Sequence, residues 1–231
     1  MLPIPASIAR FAPACTAVIA LLGSSPASGQ SADAAIRYGE PARLSRAEEI
    51  ALARSAAPAA VSAEATVLVL EEDAERWIVA EDGTTGATCY VSRTWPGSLE
   101  PHCFDAEGSK TILPIHLRTL EMGHAGASEE EIEQDIAAGV AAGRFRYPSR
   151  PAMSYMLSSA QKLVSDEGQA VGAWKPHLMI YWPGLTKADL GGTGEGPLLS
   201  DSMMLVDEGT NEACLIIVYP EFVEPAMASA D

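Results

Sequence analysis

The groups able to do chemistry in this chain are few. They are four histidines, a handful of serines, thirty-one acidic residues and four cysteines. His177 lies in a strand-like run, WKPHLMIYWP from Trp174 to Pro183, and a second such run, AMSYMLS, covers Ala152 to Ser158. If the two runs pair, Ser154 or Ser158 approaches His177, because cross-strand neighbours lie about 5 Å apart. With Asp189, Asp201 or Asp207 orienting the imidazole, this would be a nucleophile and base for hydrolysis. No Gly-x-Ser-x-Gly elbow surrounds either serine. The competing expectation is a half-buried His177 bonded to backbone or water.

The same segment, 152–183, supports a binding reading. Tyr155, Trp174, Tyr181 and Trp182 could line an apolar groove for a small or extended ligand, with Lys175 and His177 fixing its orientation. Aromatic residues are equally ordinary core residues. Alternation puts Leu178, Ile180 and Trp182 on one face, expected to meet the core. His177, Met179 and Tyr181 fall on the other, expected to be the functional surface.

No metal or cofactor is expected. His102, His116, His124 and His177 form no His-x-x-x-His pair, and no Cys-x-x-Cys occurs, so zinc would need long-range assembly. GGTGEG at 191–196 precedes Pro197 rather than Lys-Ser/Thr, so it reads as a loop and not a phosphate cradle. The acidic run Glu129 to Asp135 lacks the ligand alternation and central glycine of a calcium loop. It reads as a helix start, where the macrodipole favours negative charge. With so many carboxylates, the sequence singles out no catalytic pair.

A net charge of −16 argues against nucleic acid and anionic membrane surfaces, which need basic patches. Residues 1–29 read as a signal peptide. Arg10 supplies positive charge, ACTAVIALL at 14–22 is too short to span a bilayer, and Ala27 and Gly29 precede a cut ahead of Gln30. The mature protein is therefore expected to be soluble, without a membrane span, and exported to the periplasm or beyond. A structural role in the envelope, with a partner there, is a further possibility. Export allows Cys89 and Cys103 to pair, closing a loop of about 14 residues that contributes on the order of 3 kcal/mol. Cys214, inside ACLIIVY, is expected to be a buried free thiol.

These groups need a scaffold. After a lead-in at 30–43, one domain is expected over 44–225, with a loose tail at 226–231. Ser45 with Glu48, and Ser128 with Glu131, form capping boxes at two helix starts. A third helix is expected from Pro114 to Met122, ended by Gly123. Segments 65–71, 76–80 and 87–92 read as an antiparallel meander, 200–206 as an edge strand and 213–219 as a central one. The fold class is α+β: a largely antiparallel sheet with about three helices packed on it.

In order along the chain stand EIALARSAAP (49–58), TCYVSR (88–93), EPHCFD (100–105), TILP (111–114), AMSYMLS (152–158) and WKPHLMIYWP (174–183). This series of blocks resembles a family of exported bacterial proteins of unknown function. The resemblance implies export and a Cys89–Cys103 pair, and it assigns no catalytic residue.

Overall fold

The computed structural model describes residues 42–71, 76–94, 97–164, 170–172, 175–193 and 196–226. The expected signal peptide, Trp174 and the tail beyond residue 226 lie outside the described residues.

Both capping boxes form. Ser45 caps α1 (Arg46–Arg54) and Ser128 caps α4 (Glu129–Ala141), each serine and its glutamate satisfying the other's backbone N–H. The chain turns through the short α2 (Ala59–Ser62). Helix α3 runs over Ile112–His124, so Gly123 lies inside it rather than ending it. Its burial explains the difference: Gly123 belongs to the face of α3 that is turned away from solvent. Gly143, at φ 74°, follows α4 in the left-handed conformation that glycine adopts without steric cost.

The strands are β1 (Thr66–Leu70), β2 (Trp77–Glu81), β3 (Thr88–Ser92), β4 (Glu100–Phe104), β5 (Ala152–Met156), β6 (Leu163–Val164), β7 (Ala170–Gly172), β8 (His177–Tyr181), β9 (Leu198–Ser200), β10 (Met203–Val206) and β11 (Cys214–Val218). Nine of them make one sheet, in the order β2-β1-β3-β4-β5-β8-β11-β10-β9, while β6 and β7 form a separate ribbon. All neighbours are antiparallel except β1 and β3. The meander expected of the first three strands is thus corrected. β3 pairs with β1 in parallel, and β4, unrecognised in the sequence, pairs beside it with Cys89 opposite Cys103.

Helices cover both faces. Leu52, Ala53, Ala56 and Ala57, in and just after α1, pack on Val67, Cys89, Val91 and Cys103. On the other face, residues of α3 and α4 bury Tyr90, Phe104, Met156, Met179 and Tyr181. The domain is a single α+β unit. The Cys89–Cys103 disulfide is present, with sulfurs 2.05 Å apart. Cys214 is buried as expected but is not a free thiol. Among the described residues no helix is long and apolar enough to cross a membrane.

Candidate binding site

The β5–β8 pairing expected of the aromatic segment is present, with Met156 opposite His177 and Ser154 opposite Met179. Its faces are the reverse of those expected. His177, Met179 and Tyr181 are at most 1% exposed, Leu178 and Ile180 are half-buried, and Trp182 is 48% exposed. The physical reason is the α3–α4 layer, which lies on the His177 side and makes it the deep core. Tyr155 lies opposite Leu178, on the other side of the sheet from Tyr181, so these two tyrosines cannot line one groove. Lys175 is exposed, two residues before β8 begins.

The serines are committed elsewhere. Ser154 Oγ is 3.2 Å from His102 Nδ1, and Ser158 Oγ is 2.6 Å from Ser55 Oγ. His177 Nδ1 donates to the carbonyl of Lys175 at 2.7 Å. Ser154 and His102 are both buried, and burial, helped by the neighbouring His116 and His177, holds the His102 imidazole well below its ordinary range. A base that weak takes up a serine proton poorly. His102, His116, Tyr90, Phe104 and Tyr181 form a continuous cluster of rings, Tyr90 stacked on His102 and Phe104 and His116 meeting its neighbours edge to face. Their chemistry is that of a core, sealed under α3. Among the described residues, no group of His, Cys, Asp and Glu is placed to hold a metal ion.

A different place has the character of a site. Strand β3 alternates, sending Cys89 and Val91 toward α1, and Arg93 follows in the same sense. The Arg93 side chain is wholly buried, and its Nη1 stands 2.9 Å from Glu49 Oε1. Glu49 occupies the apolar stripe of α1, one turn before Leu52 and Ala53. Its Oε1 also accepts the backbone N–H of Leu70 at 3.0 Å. Arg93 Nε donates to the carbonyl of Ala42 at 2.9 Å and Nη1 to that of Val91 at 2.7 Å. Nη2 has no partner. Beside this group is a cavity of about 230 Å³ lined by Arg43, Leu44, Glu49, Leu70 and Arg93. Burial lowers the Arg93 guanidinium from its ordinary value. Glu49 opposes that effect, and the positive charge of Arg43 adds to it.

Arg93 carried no motif in the sequence. The available signal was Glu49, an acidic residue standing where the apolar period of α1 calls for a core side chain. Buried carboxylates require a partner, so Glu49 implies a buried cation somewhere in the fold.

A second polar grouping lies at the β10–β11 turn. Tyr147 donates to Glu212 Oε1 at 3.0 Å, and burial together with Glu212 pushes the Asp207 carboxyl up to about 7. No protein-family model, curated protein or solved structure matches this chain.

Proposed function

We propose that the protein is exported and works by binding a small molecule in the cavity beside Arg93, not along the aromatic segment. The observation that carries this reading is a cavity of about 230 Å³ beside the buried Arg93–Glu49 ion pair, whose Arg93 Nη2 has no hydrogen-bond partner among the described residues. A buried unpaired polar group costs about 1–3 kcal/mol, and ligand sites are where such costs recur. The site is also built on rigid elements, since α1, β1 and the end of β3 all contribute to it. Export rests on the signal-like character of residues 1–29, and the Cys89–Cys103 disulfide is compatible with it.

The experiment is a thermal-shift screen of the exported protein against small molecules of mixed charge and polarity. Hits are expected to vanish in Leu44→Trp, which fills the cavity from its half-buried rim. Hits that persist in Leu44→Trp but vanish in Tyr155→Ala would move the site back to the aromatic segment.

A further inference from the structure

We propose that residues 184–191 form a strap on one face of the sheet, clasped by the β10–β11 turn while Asp207 holds a proton and released when Asp207 and Glu212 are both charged. This device is separate from the Arg93 cavity and does not rest on it.

The clasp is a set of hydrogen bonds between two loops. The Gly184 N–H donates to the carbonyl of Thr210 at 2.7 Å, and the Gly209 N–H to that of Leu185 at 2.9 Å. The Lys187 N–H donates to Glu208 Oε1 at 2.7 Å. Held this way, Leu185 is buried against Leu205, Ala213 and Leu215. The strap begins at Gly184 and ends at Gly191, at φ 78° and 72°, with open space where a Cβ would stand on either. Such residues absorb a backbone rotation at little steric cost, as a hinge requires.

The turn in its own right is tied together by Thr210. Its N–H and hydroxyl both donate to the Asp207 carbonyl, at 3.1 and 2.7 Å, and its hydroxyl oxygen accepts the Glu212 N–H at 3.0 Å. The residue that holds Gly184 is thus bonded to the backbone of both acids.

The two carboxyl groups are half-buried in this one turn. Glu212 accepts the Tyr147 hydroxyl, whereas no donor or cation among the described residues meets the Asp207 carboxyl. The groups facing the pair are neutral or acidic: Tyr181 from β8, within reach of both charges, and Glu133 from α4, beside Glu212. Lys187, the cation of the strap, gives its ammonium to the carbonyl of Gly196. Like charges so placed repel, and burial together with Glu212 holds the Asp207 carboxyl up at about 7. Burial also raises Glu212. Loss of the Asp207 proton puts two charges on the turn. The relief open to them is to swing into water, which breaks the Thr210 bonds and with them the clasp.

The test is amide hydrogen exchange of the exported protein at about pH 5.5 and about pH 8, read as protection after correction for the intrinsic exchange rate. Protection of the Gly184, Lys187 and Gly209 amides is expected to fall about tenfold, relative to the β3 amides, at the higher pH. Asp207→Asn, a residue that tolerates φ 50°, is expected to keep the strap protected at both. Glu212→Gln, which retains an acceptor for Tyr147, is expected to shrink the fall. Equal strap protection at the two pH values in the wild type would overturn the clasp. A fall that persists in Asp207→Asn would overturn Asp207 as its trigger, and an undiminished fall in Glu212→Gln would overturn the charge pair. An equal fall in β3 would overturn a local opening.

Discussion

Arg93 Nη1 and Glu49 Oε1 stand 2.9 Å apart, with neither side chain reaching solvent. This pair ties the first helix to the end of β3 across 44 residues of sequence. Taking two charges out of water is costly, and their attraction repays it only when both are present. Glu49→Gln should therefore destabilise the domain by about 3–5 kcal/mol. The double change Glu49→Leu with Arg93→Met should cost less than that single change, because no charge is then stranded. Urea denaturation of the three proteins checks this, and a double variant weaker than Glu49→Gln would refute it.

The cross-strand disulfide makes a second prediction. Cys89 and Cys103 are directly opposite in β3 and β4, and their bond closes a sequence separation of 14 residues. Replacing both by alanine should cost about 3 kcal/mol through the unfolded chain's regained freedom. Melting the wild type with and without reductant should show a loss of similar size.

Tyr181 supplies a prediction of opposite sign. Its hydroxyl is buried without a partner among the described residues, close enough to Tyr90, Glu212 and Asp207 for their charges to act on it. Tyr181→Phe removes an unsatisfied group while keeping the ring against Phe104 and His116. It should be neutral or stabilising by about 1 kcal/mol. A clear loss of stability would mean that the hydroxyl has a partner in solution.

What the sequence made legible was local. Ser45 with Glu48 and Ser128 with Glu131 place helix starts by chemistry contained within four residues, and both caps form. The β-branched runs at β1, β3 and β11 identify themselves similarly. β4 did not, because Glu-Pro-His-Cys-Phe has weak strand character. It holds its place because Cys103 is bonded to Cys89 and because Ser98 and Thr94 satisfy the buried Glu100. The depth of the two faces of β8 is hidden in the sequence for a related reason. In a sheet covered on both sides, alternation separates two faces but does not say which is deeper. His177, Met179 and Tyr181 look more polar than Leu178 and Ile180, yet they meet α3 and α4. The Arg93 site was out of reach because its two charges belong to segments that only the tertiary fold brings together.

The buried histidines should make the domain acid-sensitive. Burial pushes His116 down to about 3, and His102 also lies well below its usual range. Between about pH 6.5 and 3 the unfolded chain binds protons at these sites and the folded chain does not. Stability is therefore lost as pH falls through that window, by up to about 5 kcal/mol for His116 alone. His116→Leu, which keeps apolar contact with Phe104 and Tyr181, should flatten the slope of unfolding free energy between pH 6.5 and 4. An unchanged slope would show that His116 is already accessible to protons.

Asp207 should act in the opposite direction. Its carboxyl is raised to about 7 by burial and by Glu212, so between about pH 4 and 7 the folded chain holds a proton that the unfolded chain releases. Stability from this group is present below the unfolded value and is lost as pH rises through 4 toward 7. Partial exposure screens the effect to about 1–2 kcal/mol. Asp207 also adopts φ 50°, a conformation that asparagine tolerates and alanine does not. Asp207→Asn should accordingly raise the melting temperature at pH 7.5 and leave it unchanged at pH 4. Asp207→Ala should lower it at both, because the backbone strain is independent of pH. A gain for Asp207→Asn at pH 4 equal to that at pH 7.5 would show that the carboxylate is not the destabilising element at this turn. Because the His116 and Asp207 slopes oppose each other, removing one exposes the other. In the Asp207→Asn protein the rise of stability from pH 4 to 6.5 should be steeper than in the wild type.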